Sequence, residues 1–125
     1  TRDGLDQCLE MPGFYEGMWM HKRNGLYYAS YPTRPETKRS KANLMVYSMA
    51  KSPLGPFDYK GEILDNKSLN VHGSITEFKG QWYLFHHVAG PSNWERRVCV
   101  EPLFYNDDGT IQPVALENRR SDVKK

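Results

Sequence analysis

The chain has 125 residues, a net charge of +2 and 38% apolar residues, enough for one small domain with a modest core. Its basic clusters, Lys38–Lys41 and Arg119–Lys125, read as solvated loop and tail charges rather than a basic face organised with aromatics, which excludes nucleic-acid binding. No apolar run approaches about 20 residues, which excludes a membrane-spanning helix.

Aromatics make up 13% of the chain, with eight Tyr and three Trp, a surplus that suits sheets and carbohydrate contacts alike. Cys8 and Cys99 are far apart and in no metal-ligand spacing, so they read as buried free thiols. No signal peptide is recognised. Thr1 is not an initiator methionine, which fits a trimmed chain or part of a longer product and leaves the compartment open.

In chain order, the sequence contains one pattern twice. Arg23–Tyr31 aligns with Phe78–His86, so that Gly25 falls on Gly80 and Tyr27-Tyr28 on Trp82-Tyr83. A polar residue followed by glycine precedes each copy, Glu16-Gly17 and His72-Gly73. A strand-like run follows each, Leu44–Met49 and Arg97–Glu101. Each then reaches a turn and a short last strand, Gly55–Gly61 in one and Asn106–Ile111 in the other. Asn24-Gly25, Lys79-Gly80 and Asp108-Gly109 predict tight turns, because glycine accepts a positive φ. No helical periodicity is sustained, and the prolines read as connection residues.

Four-stranded units repeated about every 40–50 residues are the pattern of propeller blades, and propellers close with about four to eight of them. The predicted fold is all-β: a partial propeller of about two four-stranded blades, completed by another chain or another copy. The predicted divisions are an N-terminal segment (1–12), a first blade (13–68), a second blade (69–115) and a C-terminal tail (116–125). An ordinary β-sandwich with two similar hairpins is the plain alternative. In a propeller, the innermost strand of each blade begins at the central channel. Glu16 and His72 stand at that point in the two copies, which makes a carboxyl and an imidazole the candidate site.

Four runs carry a family resemblance: Phe14–Tyr28, Ser52–Gly61, His72–His86 and Arg96–Ile111. Together they cover roughly residues 13 to 115, and they resemble family 43 of the glycoside hydrolases. The resemblance implies a five-bladed propeller that cleaves xylose- and arabinose-containing polymers with inversion. It implies that Glu16, in the position of the family's Glu-Gly-Pro-Trp glutamate, is the general acid. Met18 stands where the family usually has Pro, which loosens the local backbone and removes no reactive group. His72 takes the place of the family's His-Gly-Ser histidine near the channel axis. There it would contact substrate and help hold a metal ion, commonly calcium, although calcium prefers oxygen ligands. Arg96, with Arg97 as the alternative, would face the sugar, and strand alternation admits only one of them. Trp19 is a further candidate sugar-stacking residue, and no organic cofactor is implied.

Inversion needs a protonated acid and an ionised base about 6.5–9.5 Å apart, with a water between base and sugar. The family's base is an Asp of the first blade, and a second Asp from a middle blade tunes the acid. Neither has a counterpart here: Asp3 and Asp6 lie too close to Glu16, while Asp58, Asp65, Asp107 and Asp108 read as turn residues. The expected partners are therefore a carbohydrate substrate and either a second copy in a homo-oligomer or a complementary propeller fragment. The rival reading is a non-catalytic carbohydrate-binding or structural fragment, in which Trp19, Tyr28, Trp82 and Trp94 stack on sugars.

Overall fold

The computed structural model describes residues 9–33, 44–66, 70–92 and 95–116. Seven strands form two antiparallel sheets among them. The first sheet is a meander of β1 (Trp19–Arg23), β2 (Leu26–Thr33), β3 (Leu44–Ala50) and β4 (Asp58–Leu64). The second contains β5 (Gly73–Phe78), β6 (Gln81–Ala89) and β7 (Arg96–Leu103). No described helix is long and apolar enough to cross a membrane.

The paired hairpins form where the turn signals predict. Asn24 and Gly25 have φ of 50° and 78°, and Lys79 and Gly80 have 51° and 82°. Two successive positive φ values give the turn whose twist matches that of the flanking strands. Glycine takes the second of these positions without steric cost.

The two sheets pack face to face. Tyr28, Met45, Tyr47 and Met49 from the first meet Ile75, Leu84 and Leu103 from the second in one buried cluster. Burial removes their apolar surface from water at about 25 cal/mol per Å². Three polar bonds fix this packing. The Tyr28 hydroxyl donates to Gly109 O at 2.6 Å, Ile111 N–H donates to the Tyr47 hydroxyl at 2.8 Å, and His21 Nε2 shares a 2.8 Å bond with the Tyr105 hydroxyl. Burial pushes the Tyr28 and Tyr47 phenols upward, which keeps them as neutral donors and acceptors.

Four expectations are corrected. The second sheet has three strands among the described residues rather than four. Asn106–Ile111 instead closes a tight turn, with Gly109 N–H donating to Asn106 O and a single bridge from Tyr105 to Ile111. The chain then returns to the first sheet, where Val114 N–H donates to Ile63 O at 2.8 Å. Pro32 and Pro102 lie in strands, not connections. Pro102 is on the outer strand β7, and Pro32 lies past Ser30, the last residue of β2 that pairs with β1. Proline is tolerated where one side of the strand has no ladder to feed. Asp58 opens β4 instead of sitting in a turn. Cys99 is free but only partly buried; Cys8 lies outside the described residues.

Candidate active site

The segment entering β1 is built to lift Glu16 out of the sheet. Phe14 bridges Thr33, and Trp19 pairs with Ser30. Residues 15–18 therefore stand opposite only residues 31–32, and the surplus bulges out of the ladder. Gly17, with φ of 61°, makes the bend. A Cβ there would lie 2.9 Å from Cε1 and Nδ1 of His72, so glycine is required both for the backbone and for the imidazole packed against it.

His72 ends the connection into β5, the strand that lies beside β1. Its Nε2 is 3.2 Å from Glu16 Oε1, and the two side chains remain 41% and 44% exposed. A hydrogen-bonded pair this open can still meet a ligand. The sequence placed the two residues at equivalent points of the repeat, and the structure shows a one-residue offset. Counted back from the hairpin glycines, His72 is level with Gly17, and Glu16 with Val71. Val71 is fully buried, whereas the bulge turns Glu16 outward to meet the imidazole.

Trp19 is the first residue of β1; its indole Nε1–H donates to Ile75 O at 3.0 Å, and the residue is 41% exposed. The indole is thus tethered across the two inward strands with surface left free. Arg96 begins β7 opposite Ala89, and Arg97 pairs with Val88. Both are exposed. Arg96 shares a face with His87, as a diagonal neighbour, and its charge is one cause of the low proton affinity of His87. Tyr28 cannot stack on a sugar, because it is wholly buried under Gly109 and His21. Trp82 packs beside His21 and Tyr105. Trp94, Asp3 and Asp6 lie outside the described residues.

Four residues that the sequence reading missed, His87, Asn66, His86 and Glu101, stand on or beside strand β6 and the connection that carries His72. His87 Nε2 accepts the backbone N–H of His72 at 3.3 Å. Burial, followed by the charges of Arg96, His72 and His86, holds His87 below the usual imidazole range, which favours the neutral acceptor form. Asn66 Nδ2 donates to both Asn70 O and His87 O at 2.8 Å. On the opposite face of β6 from His87, His86 Nε2 and Glu101 Oε2 form a buried 2.9 Å pair. The adjacent His86-His87 on a strand was the available signal, since alternation sends the two imidazoles to opposite faces.

Calcium takes about six to eight oxygen ligands. The described residues contain no group of three His, Cys, Asp or Glu that could hold a metal. His72 offers imidazole nitrogen rather than oxygen, with Nε2 engaged by Glu16 and Nδ1 packed against Gly17. The side chains present thus do not meet the donor demand of calcium, and the expected metal role of His72 gains no support from them.

Two stacked antiparallel sheets, with their first strands side by side and a carboxyl and an imidazole meeting where those strands begin, define a piece of a β-propeller. The chain belongs to glycoside hydrolase family 43: the model of "Glycosyl hydrolases family 43" matches residues 4–111. It is 44% identical over 105 residues to a β-xylosidase of Xylanibacter ruminicola, covering 81% of this chain and 31% of the relative. A β-xylosidase/α-arabinofuranosidase from a compost microbial metagenome, solved with xylotriose in a calcium-free form, superposes with a TM-score of 0.71 at 41% identity, covering 81% of this chain and 30% of that one. An arabinoxylan arabinofuranohydrolase of Bacillus subtilis, solved with cellotetraose, gives 0.74 at 30% identity, with 86% and 26% covered. The fold is therefore a partial five-bladed propeller, and the chain spans 20% to 33% of the length of the curated relatives it matches.

Proposed function

We propose that this chain supplies the acid side of an inverting glycosidase acting on xylose- and arabinose-containing polysaccharides or oligosaccharides. Glu16 is the general acid, and the remaining blades supply the base. The observation that carries this reading is the half-exposed Glu16 carboxyl, bulged out of the ladder and 3.2 Å from His72 Nε2. The hydrogen bond to His72 orients the carboxyl, so that its proton can be delivered to the glycosidic oxygen as the bond breaks. A carboxylate on the opposite side of the sugar activates water, about 6.5–9.5 Å from the acid. Trp19 and Arg96 are the neighbouring side chains proposed to receive the sugar.

The base is proposed to come from outside the chain. Asp58 opens the outermost strand of the first sheet. Asp107 and Asp108 sit in the turn against Leu26 and Tyr28, at the far end of β1 from Glu16. The surface of the second sheet supports incompleteness. Met45, Tyr47 and Met49 bury the first sheet against the second. Strand for strand, their counterparts in the repeat are Val98, Val100 and Pro102. These are exposed, Val98 by 82%. Residues 13–68 and 69–115 thus act as two consecutive blades, with an apolar face open for a third sheet from another chain or copy.

The test is Glu16→Gln in the complete propeller that contains this chain. Hydrolysis of a xylo-oligosaccharide should fall about 100-fold or more, and cleavage of an aryl glycoside with a good leaving group should fall less. Unchanged hydrolysis of both substrates removes Glu16 from the mechanism. The 125-residue chain by itself should be inactive, and light scattering should show an assembly larger than one copy. An active monomer would contradict the missing-base argument.

A further inference from the structure

The connection from the first sheet to the second carries His72 into the site, and two side chains outside the site fasten it. Asn66 is buried to 6% exposure, and its amide donates to Asn70 O and His87 O, both at 2.8 Å. Because both partners are carbonyls, the amide nitrogen has to face them. One side chain therefore ties the connection to strand β6. Two residues beyond Asn70, His72 N–H donates to His87 Nε2 at 3.3 Å. That donor fixes the tautomer: Nε2 must be unprotonated, so the ring proton is on Nδ1. Nδ1 is buried and has no hydrogen-bond partner among the described residues. A buried donor without a partner is costly, so a neutral imidazole is kept here at a penalty. The gain from that penalty is a fixed backbone at His72.

We infer that Asn66 and His87 form a clamp that positions His72 against Glu16, acting on the site through the backbone of the connection. The inference rests on the acid reading of Glu16 for its catalytic consequence, but not for its geometry. Both side chains act through the backbone of the connection and of β6, so they are positioning residues. The clamp reaches the site from two directions. Asn66 holds the backbone of the connection and of His87, and His87 holds the amide of the very residue that pairs with the acid. Gly17 bounds the His72 ring on the remaining side. Freed from the clamp, His72 keeps its ring but loses its register with Glu16.

The test uses the complete propeller with three substitutions. His87→Leu removes the acceptor at similar bulk, His87→Gln restores one, and Asn66→Leu removes both donors. In His87→Leu, exchange of the His72 amide should accelerate about fivefold, as expected for the loss of one hydrogen bond. The kcat for a xylo-oligosaccharide should fall about tenfold with KM within about twofold, the pattern of a misplaced catalytic group. His87→Gln should recover most of kcat and the slow exchange, and Asn66→Leu should resemble His87→Leu. Unchanged His72 exchange in His87→Leu overturns the clamp. So does fast exchange with unchanged kcat, or an equal loss in His87→Leu and His87→Gln despite matching thermal stability. An active Glu16→Gln enzyme is a different failure: it overturns the acid reading and the catalytic role of the clamp together, while His72 exchange still decides whether the clamp exists.

Discussion

Replacing Gly17 by alanine tests how tightly the backbone, the imidazole and the acid are coupled. The new Cβ would lie 2.9 Å from two atoms of the His72 ring, whereas ordinary contact begins at 3.4 Å. The ring or the bulge must therefore give way by about half an ångström. In addition, φ of 61° at this position costs an L-residue about 1–2 kcal/mol relative to glycine. Gly25 is the control: its φ is 78°, and an added Cβ meets nothing within 4 Å. Gly25→Ala should thus cost about 1 kcal/mol, from the backbone alone. Gly17→Ala should cost about 2 kcal/mol, a further drop in Tm of about 2 °C in the larger complete propeller. The kcat should fall about tenfold in Gly17→Ala and stay at the parental value in Gly25→Ala. Urea unfolding and steady-state hydrolysis, both on the complete propeller, separate the two effects. Equal stability losses and equal kcat values in the two variants would refute the claim that Gly17 seats His72.

His21 is held down to about 4, first by burial and then by the charge of Arg23. Below the ordinary imidazole value the unfolded chain takes up a proton that the folded chain refuses. Stability is thus full above about pH 6.5 and falls as the pH drops towards 4, by up to about 3 kcal/mol for this one group. Urea unfolding from pH 7.5 to 4.5 should show a shallower decline in His21→Phe, which keeps the ring beside Tyr28; identical slopes would exclude the effect. Glu101→Leu takes from the buried His86 Nε2 its 2.9 Å partner and should cost about 1–3 kcal/mol, and His86→Leu combined with Glu101→Leu should cost less than the two single losses together. Strict additivity in that double-mutant cycle would show that the pair is not coupled.

The hairpins at Asn24-Gly25 and Lys79-Gly80 were legible because a two-residue turn is a local event, set by a positive φ and the strands on either side. The all-β class and the runs of β2, β3, β6 and β7 followed from the same short-range patterning. Glu16 and His72 were found from their neighbours in sequence, and the structure joins them at 3.2 Å. What the chain pattern did not show depends on where strands end and which faces meet. Pro32 escapes the rule against strand prolines only because β1 stops at Trp19, opposite Ser30. Asn106–Ile111 has the composition of a turn and strand, but the chain beyond it pairs with Ile63 of the first sheet. The bulge at residues 15–18 appears only when Phe14 and Trp19 are both given partners on β2. Asn66 and His87 matter because a 21-residue separation closes to one hydrogen bond. Local backbone preference is written residue by residue, so the sequence by itself determined turns and most strands, and its resemblance to a family pointed to the candidate acid. Contacts between distant segments are settled by packing one sheet on another, so only the tertiary structure decided the setting that holds His72 against Glu16.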